Sequence, residues 1–126
     1  MMIVEDVALL GLELADAFAR HGVKVVGPLA TPAHAILHIE RGNVGLAVLD
    51  VMLGEEDVYA VAECLVQRRI PFAVTTARRR STLRPPLSNV PYFAKPYDPK
   101  AVAIAVLALL DASDRHGDVD FRQPMP

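Results

Sequence analysis

Five short apolar-rich runs, Met1–Val4, Val23–Val26, Val44–Leu49, Pro71–Val74 and Pro91–Ala94, alternate with stretches in which apolar residues return every three or four positions. That switching of period is the mark of a parallel sheet whose strands are joined by crossover helices. Right-handed crossovers leave few topologies open. The usual five-strand solution is a doubly wound, flavodoxin-like (βα)5 α/β fold with strand order 2-1-3-4-5. Strands 1 and 3 then lie side by side at the centre, and the crevice that binds ligands opens outside their carboxyl ends.

The helical stretches carry their own punctuation. Leu10, Leu14, Ala17 and Phe18 mark a first helix closed by Gly22, and Thr31-Pro32 caps a second that ends before Gly42. Gly27-Pro28 reads as the break that ends the second strand. Val58, Val61, Ala62 and Leu65 share one stripe of a third helix over 57–67, and Asp98-Pro99 opens a last helix running to about Asp111. Residues 78–90 hold Arg78, Arg79, Arg80, Arg84 and the pair Pro85-Pro86, with little periodicity. The fourth helix is therefore expected to be shortened or irregular. The domain is expected to span 1–112, with a flexible, polar, Gly/Pro-bearing tail over 113–126.

A chain of 126 residues has room for one core. Thirteen basic and fifteen acidic residues give a net charge of −2, without the broad positive field that nucleic-acid binding needs, so no nucleic-acid partner is expected. The longest apolar run, Ala101–Leu110, is about half of the roughly 20 residues that cross a bilayer. With a single cysteine, Cys64, and neither a basic leader nor a cleavage signal, the chain reads as cytoplasmic, with no membrane partner.

Chemistry gathers where the strands end. Glu5 and Asp6 follow strand 1, Asp50 follows strand 3, Thr75 and Thr76 follow strand 4, and Lys95 follows strand 5. Alone, an acid pair near a helix start is usually a cap. A carboxylate at the end of a buried strand is costly without a partner, and three acids meeting at one edge repel one another unless a cation intervenes. An all-oxygen donor set suits Mg²⁺, or Mn²⁺, better than zinc. Lys95 as a point charge and a threonine hydroxyl as a donor then suit a phosphoryl group on Asp50. His34 and His38 share a helix face but have no third metal ligand near them in sequence.

The ordered set Ile3-Val4-Glu5-Asp6, Val48-Leu49-Asp50-Val51, Val74-Thr75-Thr76-Ala77, Tyr92 and Lys95-Pro96 resembles a response-regulator receiver domain of the chemotaxis-regulator type, from Met1 to about Leu110. The resemblance implies a bacterial two-component phosphoprotein acting as a stand-alone receiver. Asp50 would accept phosphate from a histidine kinase or a histidine phosphotransfer protein, with Thr76 and Lys95 completing the catalytic set. Glu5, Asp6, Asp50 and the Met52 carbonyl would hold Mg²⁺. Thr76 and Tyr92 would be the switch residues through which a downstream protein partner reads the phosphorylated state, although Tyr92 suits simple packing equally. The bond before Pro96 is expected to be cis. Such a protein catalyses its own phosphorylation without being a turnover enzyme.

Met52, two residues after the acceptor, is apolar and cannot orient a hydrolytic water, so self-dephosphorylation is expected to be slow. The alternative is a pseudo-receiver, a constitutive interaction module that does without phosphorylation. A haloacid-dehalogenase-type phosphatase would want an acid where Met52 stands, and a flavin-binding flavodoxin would want glycine and backbone amides where Glu5 and Asp6 stand. Two surface readings remain open. The arginines of 78–90 either dock an acidic partner or are solvated. The uncharged last helix either forms a homodimer or partner interface through Ile104 and Leu107 or is diluted enough by alanine to face water.

Overall fold

The computed structural model describes residues 1–54 and 56–116. Its main sheet has five parallel strands in the order β2-β1-β3-β6-β7: β1 (Met2–Val4), β2 (Val26–Leu29), β3 (Ala47–Asp50), β6 (Phe72–Thr76) and β7 (Tyr92–Ala94). Counted within this sheet alone, the order is the expected 2-1-3-4-5. A two-stranded antiparallel hairpin, β4 (Met52–Leu53) with β5 (Glu56–Asp57), follows β3 directly and was not legible as strand. The helices are α1 (Ala8–Ala19), α2 (Pro32–Glu40), α3 (Tyr59–Gln67) and α4 (Pro99–His116).

The sheet is buried on both faces because each central strand is apolar at consecutive positions, and successive side chains point to opposite sides. Met2, Val4, Ala47, Leu49, Phe72 and Val74 enter one core with Ala35 and Ile39 of α2 and Val61, Ala62 and Leu65 of α3. Ile3, Val48 and Ala73 enter the other with Leu14, Ala17 and Phe18 of α1 and Val102, Ala103 and Val106 of α4. In register, Val4 lies beside Leu49 and Asp50 beside Thr75, which aligns the carboxyl ends of the central strands.

Three boundaries differ from the sequence reading. Gly27-Pro28 sits inside β2, not after it. As an edge strand, β2 tolerates a residue without an N–H. Gly27 adopts φ +110°, and a Cβ there would stand 2.5 Å from the Ile3 carbonyl oxygen, so the register slips locally between Met2 and Val4. The strand expected to stop at Val74 continues through Thr76, because both threonines still pair with β7. The last helix runs past Asp111 to His116, since residues 112–116 include no glycine or proline; residues 117–126 of the expected tail lie outside the described residues.

The crossover between β6 and β7 forms no α-helix. Two single 3-10 turns, Arg80–Thr82 and Leu87–Asn89, flank Pro85-Pro86, as the paired prolines led one to expect. Leu83, Leu87 and Val90 nevertheless enter the core on the α2/α3 side, so burial anchors the segment where helical hydrogen bonds do not. Among the described residues no helix is long and apolar enough to cross a membrane.

Candidate functional site

The short loop after β1 carries Glu5, buried, and Asp6, exposed, while β3 ends on Asp50, also buried. One carboxylate oxygen from each lies within 4.8 Å of the others, the single such group of metal-binding side chains among the described residues. His34 and His38 belong to no such group. Gly54, at φ +61°, lets the hairpin turn pass close to Asp6, since a Cβ there would sit 3.4 Å from its Oδ2. Gly11 does the same for α1. A Cβ at that position would fall 2.5 Å from the Pro28 Cβ and 3.5 Å from the Glu5 Cβ, so glycine lets the helix close on the wall of the site.

Lys95 reaches this cluster from the far side of the sheet. Its backbone N–H donates to the Thr76 carbonyl at 2.8 Å, continuing the β7 ladder, and its Nζ then lies 2.9 Å from Glu5 Oε1 and 3.2 Å from Asp50 Oδ2. The Lys95-Pro96 peptide bond is cis. Met52 N–H donates to Asp50 Oδ1 at 3.4 Å, and Val7 N–H to Glu5 Oε2 at 3.1 Å.

Electrostatics follow from this crowding. Burial, then the adjacent Glu5 carboxyl, push Asp50 up to about 7, against the pull of Lys95. Burial also works to raise Glu5, but hydrogen bonds from Asp50, Lys95 and the Val7 amide outweigh it and hold Glu5 below the usual carboxylate range. Burial would lower Lys95, yet its two carboxylate partners raise it. The pair Glu5–Asp50 therefore keeps one proton up to about neutral pH in the absence of a cation. Once fully ionised, three carboxylates against one ammonium leave two negative charges, which a divalent ion would balance. The donor set is all oxygen, so these residues fit a hard cation such as Mg²⁺.

Thr76 is buried, and its Oγ1 accepts from the Arg78 N–H at 2.9 Å. Tyr92 is half-buried, with its hydroxyl donating to the Arg78 carbonyl at 2.8 Å. Met52 is 40% exposed at the mouth of the site.

No protein-family model matches the chain, and no curated protein does. Solved structures do. SdrG from Sphingomonas melonis Fr1 is 35% identical, over 86% of this chain and 93% of that one, with a TM-score of 0.73. The PhyR response-regulator REC domain from Erythrobacter litoralis is 25% identical over 87% and 88% of the two chains, TM-score 0.73. A CheY-like receiver domain protein from Methanospirillum hungatei JF-1 shares the fold at 18% identity and TM-score 0.77. The chain is a member of the response-regulator receiver family.

This receiver gathers Glu5, Asp6, Asp50 and Lys95 as the sequence reading expected, and stations Thr76 on the strand that positions Lys95. Three features were not anticipated. Tyr97, just past Lys95-Pro96, buries a hydroxyl with no hydrogen-bond partner; burial and then the Glu5 charge push it up to about 12. An aromatic directly after the Lys-Pro pair was the only available signal for it. Three of the four crossover arginines also contact the receiver's own atoms, Arg78 and Arg80 being half-buried and Arg84 exposed. Arg78 contacts Met52 Sδ and the Thr82 carbonyl, Arg80 reaches the Ser88 and Val90 carbonyls, and Arg84 stacks 3.7 Å from the Tyr59 ring centroid. The largest apolar exposure lies on and just before α1, at Val7, Leu9 and Leu12, whereas on α4 Ile104 is exposed and Leu107 packs partly against the core.

Proposed function

We propose that this receiver accepts a phosphoryl group on Asp50 from the phosphohistidine of a histidine kinase or histidine phosphotransfer protein, and passes the signal on by changing a protein-binding surface. The observation that carries the reading is the meeting of Glu5, Asp6 and Asp50 within 4.8 Å, with the Lys95 ammonium touching two of them. A buried charge cluster of this kind is costly to fold and has no packing value of its own, so a ligand is its physical justification.

An Asp50 carboxylate oxygen attacks phosphorus in line, a new P–O bond forms, and the P–N bond to the donor imidazole breaks, leaving neutral histidine after proton uptake. Lys95, already 3.2 Å from Asp50 Oδ2, pairs with a phosphoryl oxygen, and the Met52 amide steadies Oδ1. Glu5, Asp6, Asp50 and the Met52 carbonyl would hold Mg²⁺, which when bound neutralises charge on the acceptor and on the transferred group. SdrG has a BeF3-activated conformation, and trifluoroberyllate has the tetrahedral shape of a phosphoryl group, which supports the same reading here.

On phosphorylation the Thr76 hydroxyl turns toward the new anion and Tyr92 shifts with it, altering the β7 face for a downstream partner. Met52 carries no polar group to orient water, so the phosphoaspartate is long-lived. The exposed Ile104 of α4 is the contact through which a homodimer would form.

Incubation with acetyl phosphate and Mg²⁺ tests the acceptor. The expected result is a mass gain of about 80 Da, abolished by Asp50→Asn and by chelation. A protein that takes up no phosphate and binds no trifluoroberyllate is instead a constitutive interaction module.

A further inference from the structure

Arg78 joins four parts of the molecule. Its amide donates to Thr76 Oγ1 at 2.9 Å and its carbonyl accepts from the Tyr92 hydroxyl at 2.8 Å. Its guanidinium lies 3.8 Å from Met52 Sδ through Nη1, and donates to the Thr82 carbonyl at 3.2 Å through Nη2. Met52 in turn donates its amide to Asp50 Oδ1, so the guanidinium stands beside the loop that carries the acceptor.

These are weak partners for a full positive charge. A thioether is a poor acceptor and a peptide carbonyl a neutral one, whereas guanidinium binds carboxylate and phosphate oxygens with roughly twice the strength of a neutral hydrogen bond. Among the described residues Arg78 has no ion pair, although Arg20 and Lys95 do. Glu5 and Asp50 are engaged with Lys95 and with each other, and with Asp6 beside them the three carboxylates, fully ionised, would leave no room for phosphoryl charge unless cations shared it.

We propose, on the strength of the phosphoacceptor reading above, that Arg78 is a further phosphoryl-binding residue of the Asp50 site, and that it releases the Thr82 carbonyl when it takes a phosphoryl oxygen. No covalent bond changes in this exchange; one hydrogen bond to a neutral carbonyl is traded for one to an anion. The turn Arg80–Thr82 then keeps its local bonds, Thr82 N–H and Oγ1 to the Arg79 carbonyl and Leu83 N–H to the Arg80 carbonyl, together with the Arg80 guanidinium's bonds to the Ser88 and Val90 carbonyls, but loses its tie to Arg78. The same residue carries the amide that Thr76 would give up and the carbonyl that holds Tyr92, so the crossover responds to phosphorylation through Arg78 from both its backbone and its side chain.

Trifluoroberyllate with Mg²⁺, added to the full chain, tests this. In the wild type the amides of Thr82 and Leu83 are expected to exchange hydrogen about tenfold faster once the anion binds, as expected for loss of one tether. Arg78→Gln is expected to weaken trifluoroberyllate binding about tenfold and to abolish the exchange response. Arg78→Lys, which keeps the charge, is expected to hold affinity within about threefold of wild type. Unchanged affinity in Arg78→Gln, or Arg78→Lys as weak as Arg78→Gln, overturns the role of Arg78 while leaving the acceptor intact. A wild-type protein that neither binds trifluoroberyllate nor takes up phosphate overturns both readings.

Discussion

The acid edge at β1 and β3 and the crossover between β6 and β7 flank the same strand with opposite charge. The edge sets three carboxylates against one lysine. Residues 77–91 hold four arginines and no carboxylate. At the edge like charges are held together by the strand register, and their repulsion is left for a ligand to relieve. In the crossover three of the four cations already contact carbonyls, a thioether or an aromatic ring of the chain itself, in a segment without helical hydrogen bonds. A charge deletion should therefore alter chemistry at the edge and stability in the crossover, with Arg78 as the residue belonging to both.

The largest expected effect sharpens the first half of that contrast. Lys95→Met should slow phosphorylation by acetyl phosphate by a factor of about a hundred or more, because a buried anion loses its direct cation; stopped-flow or mass-resolved time courses read this, with folding checked by circular dichroism. Gly11→Ala comes next and acts on the wall of the site alone. Its Cβ would meet the Pro28 ring at 2.5 Å, so α1 must move outward at a cost of about 1–3 kcal/mol, visible as a lower urea midpoint.

The third prediction concerns the acid edge without metal. Asp50 binds its proton more tightly in the folded chain, at about 7 against its ordinary 3.8. The folded state therefore holds more protons than the unfolded one across that interval, and Asp50's contribution makes stability fall as pH rises from about 4 to about 7. Glu5, lowered, opposes this at the acid end, where its contribution is lost as pH falls through its folded value. Asp50→Asn should thus raise the melting temperature of the metal-free protein at pH 8 by several degrees, and Mg²⁺ should raise that of the wild type but not of the variant. A wild type already more stable than Asp50→Asn in chelator at pH 8 would break the picture of a repulsive edge.

The smallest effect belongs to the crossover. The Tyr59 hydroxyl accepts the Arg84 amide at 3.0 Å, and the ring carries its guanidinium. Tyr59→Phe should cost about 1 kcal/mol and leave the phosphorylation rate unchanged. Lost labelling in this variant would show that the two regions are not separable.

Much of the edge was legible because its chemistry is written at strand ends. An acid terminating a buried apolar run, as Asp50 does after Val48 and Leu49, is conspicuous in any reading, and parallel topology then brings Glu5, Asp6 and Lys95 to it. The crossover was legible only as an absence of pattern. Pro85-Pro86 excluded a helix, but nothing local told Leu83, Leu87 and Val90 to turn inward, or Arg80 to reach the carbonyls of Ser88 and Val90. Tyr97 was missed for the same reason, since an aromatic after Lys-Pro carries no mark of where its hydroxyl ends up.

By itself the sequence determined the alternation of strand and helix, the strand order, and which residue types crowd the carboxyl edge, because hydrophobic period and turn chemistry act over a few neighbours. Only the tertiary structure decided that Gly27-Pro28 lies within a strand, that three arginines brace a crossover, and that Lys95 touches Glu5 as well as Asp50. Those outcomes depend on partners tens of residues away, whose distances are fixed by packing and not by any local preference.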